Sequence, residues 1–217
     1  MRKIVIFFFC MVGAALNIVI GKAHNILYLD TIFTITTTLL AGPWWGMLTG
    51  ASTNIIIHTI EFWGWEGYLF ALCNAATALV TCLFMRLFPR ELSFPRQKDI
   101  ISDFRALSKS RRLAFVMEHV VALTLLSFAL CLVMSAMGGT ISGLIQIFNP
   151  ARIGTRNLSP YYFYNIVIPP NLSFIIAEIM IRIPMNILDR LISAFSGYGI
   201  ALVLSFICKK INTKVSG

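Results

Sequence analysis

Charge is scarce in this sequence, and negative charge is scarcer than positive. Only 12% of the 217 residues are Asp, Glu, Lys or Arg, while 58% are hydrophobic and the mean hydropathy is +0.80. A soluble domain of this size carries far more charge than that. The composition therefore excludes an ordinary soluble protein. It predicts an all-α polytopic membrane protein that forms a single domain over residues 1–217.

Motifs for nucleotide, metal and acyl-transfer chemistry are missing from the chain. It has no Gly-x4-Gly-Lys-Ser/Thr phosphate loop, no His-Glu-x2-His zinc motif and no Gly-x-Ser-x-Gly nucleophile motif. The three histidines, His24, His58 and His119, are far apart, and the five cysteines lie in apolar stretches without zinc or disulfide spacing. We therefore predict no enzymatic activity, no metal and no cofactor.

The distribution of charge excludes further classes of protein. No apolar stretch carries the arginine ladder of a voltage sensor, and no two halves of the chain repeat as they would in an inverted-repeat transporter. The net charge of +9 comes from basic residues that flank apolar stretches and lack interleaved aromatic residues. This pattern predicts contact with the surface of a lipid bilayer and argues against nucleic acid as a partner.

Long apolar blocks make up most of the chain, and each is close to the ~20 residues that a membrane-spanning helix needs. They predict a bundle of six transmembrane helices at 4–20, 26–41, 44–60, 68–88, 113–137 and 187–208. Thirteen of the 18 Lys and Arg residues lie at the termini, in the connection 89–112 or at Arg86 just before it. Because basic loops stay inside, both termini and that connection are predicted to be cytoplasmic. A cleaved secretion signal at the N-terminus is the alternative, but its removal would leave an odd number of spans.

Two connections are long enough to contain structure of their own. In the cytoplasmic connection, residues 98–112 carry apolar residues at helical spacing, which predicts an amphipathic helix on the membrane surface. A solvated loop is the alternative for this segment. The outer connection, residues 138–186, is too long and too apolar for a plain loop, so we predict short helices that cap the outer face.

Prolines mark the borders of one of these capping helices. Residues 169–170 are both proline and Pro184 follows the apolar run, which predicts a short helix over 171–183. Glu178 and Arg182 are four residues apart on it and are expected to pair. The alternative makes residues 172–183 part of a spanning helix.

Small and polar residues recur inside the apolar blocks at helical spacing, which places them on one face of each helix. On the third predicted span they recur every four residues: Gly46, Gly50, Asn54 and His58. Four different spans place a polar group in the outer half of the membrane: Asp30, His58, Asn74 and Asp189. Because polar groups in hydrocarbon need protein or water as a partner, these residues predict a bundle built around something polar.

Each of these groups also has a purely structural alternative. Asn17 and Asn54 are candidates for hydrogen bonds between helices, and Asp30 is a candidate for an ion pair with Lys22 or Arg190. Trp63 belongs either to an interfacial belt of aromatic residues or to a stacking lid over a flat ligand.

Three segments resemble the substrate-binding membrane subunits, or S components, of energy-coupling factor (ECF) transporters. They are residues 29–32 (Leu-Asp-Thr-Ile), residues 39–54 with Leu-Leu-Ala-Gly-Pro-Trp-Trp-Gly at their start and Thr-Asn at their end, and residues 183–193. In the last segment a proline precedes an Asp-Arg pair and a serine. Arg190 stands where the family usually has Lys, and Phe33 where Gly is frequent.

The resemblance implies a six-helix subunit in the plasma membrane of a bacterium. Such subunits bind a vitamin or related micronutrient from outside and deliver it through a membrane coupling protein that two ATPase subunits drive. With the polar groups above, the predicted substrate-binding residues are Asn25, Asp30, Asn54, His58, Trp63, Tyr68, Asn74, Asn186 and Asp189. The family docks on its coupling protein through small residues of the first helix, which here are Cys10, Gly13, Ala14 and Ala15.

Two other classes of function stay open. A membrane-embedded sensor or assembly module without cargo would have polar stripes that are fully paired among themselves. An integral-membrane enzyme would need an acid–base or metal cluster, which the scattered histidines do not suggest.

Overall fold

The computed structural model describes residues 3–23, 27–61, 65–92, 108–148 and 173–215. Every regular element in these ranges is helical and none is a strand, which confirms the all-α prediction. The elements of the described ranges are α1 (Lys3–Ala23), α2 (Ile32–Ala41), α3 (Pro43–Glu61), a 3₁₀ helix (Trp65–Phe70), α4 (Ala71–Leu87), α5 (Lys109–Phe148) and α6 (Phe174–Val215).

Four helical segments are long and apolar enough to cross a membrane: α1, the 3₁₀ helix continued by α4, α5 and α6. α2 has only 10 residues, about 15 Å, which is half of the ~30 Å hydrocarbon thickness. α3 has 19 residues, but its polar stripe lowers its hydropathy. These helices are compatible with a multi-pass membrane protein, and the count of six spans stays a prediction.

Gly42 and Pro43 separate α2 from α3. Gly42 has a φ of +95°, a conformation that side chains disfavour, and its N–H donates to Thr38 O at 2.9 Å. Pro43 is the first residue of α3, where a missing N–H leaves no helical hydrogen bond unmade. This pair of residues ends one helix and begins the next, so α2 and α3 pack against each other.

α5 and α6 are much longer than the predicted spans 113–137 and 187–208. They have 40 and 42 residues, about 60 Å each, and α6 continues through Pro184. The predicted short helix that ends before Pro184 is therefore wrong, and its described residues form the first turns of α6. The alternative, in which this segment belongs to a long helix, agrees with the structure.

Packing against α5 explains why α6 does not end at Pro184. An interior proline costs a helix about 3 kcal/mol, because it lacks one N–H and its ring crowds the preceding turn. Before the proline, Gly139 of α5 lies so close to Ile179 that a Cβ would come within 2.6 Å of the Ile179 Cα. After it, Asn186 Nδ2 donates to Ser135 Oγ at 2.9 Å. Contacts on both sides of Pro184 thus fix the two halves of α6 along the same partner.

The apolar core and the charged cluster lie at different parts of α2. The core lies beside α2 and is completed by α5 and α6, with these residues among its members: Ile35, Leu39, Leu126, Leu130, Ala194 and Tyr198. The charged residues Asp30, Asp189 and Arg190 gather where α2 begins. The predicted surface helix, apart from its last residues at 108–112, and residues 149–172 of the outer connection lie outside the described residues.

Candidate functional site

Two oppositely charged residues of α6 lie side by side in the interior. The side chains of Asp189 and Arg190 are 0% and 4% exposed, and Arg190 Nη2 lies 2.6 Å from Asp189 Oδ2. A buried charge without a partner costs several kcal/mol, roughly, so each residue makes the other tolerable in an apolar bundle. Asp189 was a predicted site residue, and its neighbour in sequence is its counter-ion.

The same pair holds the segment that leads into α2. Leu29 N–H donates to Asp189 Oδ1 at 2.7 Å, and Arg190 Nη1 donates to Thr31 Oγ1. Leu29 has a φ of +44°, a left-handed conformation that costs a non-glycine residue about 1–2 kcal/mol. The hydrogen bond to Asp189 offsets that cost, and it fixes the position of the next residue, Asp30.

Asp30 lies between α6 and α4. Its Oδ2 accepts from Asn74 Nδ2 at 2.9 Å, while its Oδ1 is 3.9 Å from Arg190 Nη2 and makes no hydrogen bond in the described part of the chain. Of its two predicted ion-pair partners, the structure brings Arg190 close, whereas Lys22 lies 3.4 Å from Glu61. Two carboxylates therefore meet one guanidinium, which leaves the cluster with an excess of formal negative charge.

The polar stripe of α3 borders this cluster. Gly50 packs so tightly against α4 that a Cβ would lie 2.8 Å from Asn74 O. Asn54 follows one turn later on the same face. It is 7% exposed, and it makes no hydrogen bond within the residues that the structure describes. An amide that could donate and accept thus lies one turn from the contact between α3 and α4, without a protein partner from these residues.

His58 continues the stripe at the far end of α3. Its ring lies against Gly67 of the 3₁₀ helix, where a Cβ would come within 2.9 Å, and its centroid is 6.0 Å from that of Phe70. The structure therefore places His58 against the 3₁₀ helix that leads into α4, with an aromatic ring beside it.

Asn17 of α1 has a different environment from Asn54. Its Oδ1 accepts the N–H of Phe33 at 2.9 Å, and its Nδ2 lies 3.3 Å from the hydroxyls of both Thr34 and Thr53. Phe33 is in the first turn of α2, where the Thr31 side chain makes no capping hydrogen bond. Asn17 thus caps α2 from another helix. The predicted interhelical hydrogen bonds are confirmed for Asn17, whereas Asn54 makes none among the described residues.

Some predicted site residues are not at this cluster. Tyr68 is exposed and its hydroxyl is 3.2 Å from that of Thr59, which places it on the surface. Asn186 faces α5, where its amide donates to Ser135. Asn25 and Trp63 lie outside the described residues.

Comparison with known proteins adds no assignment to this site. No protein-family model, no curated protein and no solved structure matches the chain. The chemistry of the cluster itself must therefore indicate what it does. Acceptor oxygens on Asp30 and an Asn54 amide that has no hydrogen-bond partner among the described residues, set among apolar helices, are typical of the few placed polar groups in a small-molecule binding site.

The predicted docking residues of α1 do not form a surface. Cys10 and Ala14 are fully buried, and Gly13 packs against Phe33 and Thr49. Only Ala15 is exposed. The small residues of α1 therefore serve packing inside the chain, and the exposed face of α1 is formed by large apolar side chains, among them Phe8, Val12, Leu16 and Val19.

The sequence interpretation missed a polar stripe that runs along α6. Its members follow one another at intervals of three or four residues and share one helix face: Glu178, Arg182, Asn186, Asp189, Ser193 and Gly197. Five of them are buried polar residues. The regular spacing on both sides of Pro184 was the signal for a continuous helix, and the proline concealed it.

Proposed function

We propose that this chain is the S component of an ECF-type importer. It captures a vitamin or a related small micronutrient from outside and delivers it through a separate coupling module. The sequence has no nucleotide-binding motif, so in this proposal the energy comes from two ATPase subunits joined to a membrane coupling protein. The chain itself is a binding subunit without enzymatic activity.

One observation carries the proposal: the buried polar cluster does not satisfy itself. Asp30 Oδ1 is buried and makes no hydrogen bond with the described residues. The Asn54 side chain makes none with them either, whereas Asn17 uses both ends of its amide. A buried polar group without a partner costs about 1–3 kcal/mol, and such groups are rare in folded proteins. A polar ligand would supply the missing partners. A sensor or assembly module would be expected to pair these groups internally.

The proposal includes six spans with both termini in the cytoplasm of a bacterial cell. In that orientation the beginning of α2 lies in the outer half of the membrane. The cluster around Asp30 would then face the side from which a nutrient arrives. The exposed apolar face of α1 would be available to lipid and to the coupling protein.

Thermal unfolding of the purified full chain in lipid nanodiscs tests the proposal. Each member of a panel of vitamins and related micronutrients is added in excess, and at least one should raise the unfolding midpoint. A ligand at 100 times its Kd adds about 2.7 kcal/mol to the free energy of unfolding. The Asn54→Ala variant should fold but lose this increase, and Thr59→Ala, a surface change on the same helix, should keep it. If no compound raises the midpoint, the module without cargo becomes the better interpretation.

A further inference from the structure

A second buried arginine lies on α6, two turns before Arg190. Arg182 is 8% exposed, its Nη2 donates to Ser142 Oγ of α5, and its guanidinium lies 5.9 Å from the centre of the Phe70 ring. Its Nε has no hydrogen-bond partner, and Arg182 forms no ion pair within the described part of the chain. Glu178, one turn earlier, accepts from Gln146 of α5 at 3.2 Å. A buried guanidinium is thus held in place by neutral groups.

Arg182 and Asp30 border one region of the bundle from two levels. Along α6, Arg182 and Arg190 are eight residues apart, which is about 12 Å. On the neighbouring segment, where the 3₁₀ helix continues into α4, Phe70 lies at the level of Arg182. Asn74 lies one turn later, at the level of Asp30.

One helix face connects these two levels. Phe70, against which the Arg182 guanidinium lies, and Asn74, which donates to Asp30, are four residues apart where the 3₁₀ helix continues into α4, so their side chains share a face. Arg182 and Asp30 therefore border the same space on that face. His58 of α3 lies beside Phe70 and borders this space as well.

We propose that this space binds a zwitterion, a small molecule with a protonated nitrogen that meets Asp30 and an acidic group that meets Arg182. This assignment of a substrate class rests on the proposed function as a binding subunit. A purely cationic ligand would leave Arg182 without a counter-charge and would be repelled by it. A purely anionic ligand would have the same difficulty at Asp30, where the cluster already has excess negative charge. A ligand with both charges, separated by several bonds, satisfies both ends at once.

Matched derivatives of zwitterionic micronutrients test the inference on the wild-type protein. Each zwitterion of the panel is compared with its methyl ester, which keeps only the positive charge, and with its N-acetyl derivative, which keeps only the negative charge. Thermal unfolding in nanodiscs gives the apparent Kd. Loss of one partner of a buried charge pair is expected to weaken binding by at least about 100-fold for each derivative.

Two variants test which residue meets each charge of the ligand. Arg182→Gln should remove the preference for the acid over the ester, and Asp30→Asn should remove the preference for the amine over its N-acetyl form. Lys22→Gln and Glu61→Gln are controls with the same changes of charge at an exposed ion pair, and both preferences should persist in them. The derivatives test the inference on the wild-type protein. The inference can therefore still be tested if a variant fails to fold.

The outcomes separate this inference from the proposed function. Binding confined to zwitterions and lost in both derivatives supports it. If neutral or singly charged compounds bind, or if the derivatives bind as tightly as their parents, the assignment of a zwitterion is wrong. The proposed function as a binding subunit is then unaffected. If no compound of any charge class binds, the proposed function fails and the inference fails with it.

Discussion

Asn17 and Asn54 are identical side chains that are both buried in neighbouring helices, and their surroundings separate two roles. Asn17 makes hydrogen bonds to a backbone N–H and two hydroxyls, so it joins α1 to α2 and α3. Asn54 makes no hydrogen bond in the described ranges and lies one turn after Gly50, which packs against α4. The sequence places both on polar stripes and gives them the same alternatives, because the residue type does not show which partner reaches it.

Alanine at these two positions should therefore have opposite consequences. Asn17→Ala leaves the Phe33 N–H unpaired in the interior and should lower the free energy of unfolding by about 1–3 kcal/mol. Asn54→Ala removes no hydrogen bond between described residues and should change it by less than about 1 kcal/mol. Thermal unfolding of both variants in nanodiscs without ligand checks the difference. Equal losses would mean that Asn54 is as structural as Asn17.

The two aspartates of the cluster also differ in what they support. Asp189→Asn separates Arg190 from its partner at 2.6 Å and should cost about 3 kcal/mol, since the remaining carboxylate oxygen of Asp30 is 3.9 Å away. Asp30→Asn leaves the close pair intact and relieves the excess negative charge, so it should cost less than about 1 kcal/mol. Unfolding midpoints of the two variants at one pH and one salt concentration measure both effects. A larger loss for Asp30→Asn would show that Asp30 is the main partner of Arg190.

At the scale of elements, α5 and α6 form the longest paired surface of the bundle. They approach each other closely at Gly139, where a Cβ would overlap the backbone of Ile179. Gly199, later on α6, has no heavy atom within 4 Å of its Cβ position. A side chain is therefore excluded by close packing at Gly139 and is not excluded at Gly199, although both glycines lie within helices.

Substitution of alanine for each glycine should change the stability in opposite directions. Gly139→Ala pushes α6 away from α5 and should destabilise the protein by about 1–3 kcal/mol. Gly199→Ala only lowers the entropy of the unfolded chain and should stabilise it by up to about 1 kcal/mol. Unfolding midpoints in the same nanodiscs give both signs. If both variants gain stability, the close contact at Gly139 does not constrain the pair.

The junction between α2 and α3 could be predicted from local chemistry, whereas the start of α2, predicted at residue 26 and found at Ile32, and the borders of α6 could not. Gly42 and Pro43 impose their own backbone conformations, so the sequence locates that junction without knowledge of any partner. Pro184 disfavours a helix locally, yet the packing of α6 on α5 overrides it. The same limit applies to the site: residues that carry charge in apolar blocks could be found, but Arg182 was assigned to a separate short helix. Only the continuous α6 places it two turns from Arg190.

At the scale of the whole molecule, two features predict one orientation in the membrane: the distribution of charge, and the separation of the polar cluster from the apolar core along α2. The polar cluster lies where α2 begins, and the apolar core lies farther along α2 toward its end. Most Lys and Arg residues belong to the termini, to the connection before α5 and to the first turn of α5. By the positive-inside rule, the end of α3 should then lie outside the cell and the beginning of α5 inside.

Cysteine labelling in intact cells tests this orientation on the full-length chain. Glu61, at the end of α3, and Ser110, in the first turn of α5, are both exposed, so cysteine at either position is accessible to a reagent on its own side. A membrane-impermeant maleimide should label Glu61→Cys in intact cells and should label Ser110→Cys only after the cells are permeabilised. The parent chain is the control for the native cysteines. Labelling of Ser110→Cys from outside would show that the bundle has the opposite orientation. The cluster around Asp30 would then face the cytoplasm, where it could not capture a nutrient from the medium.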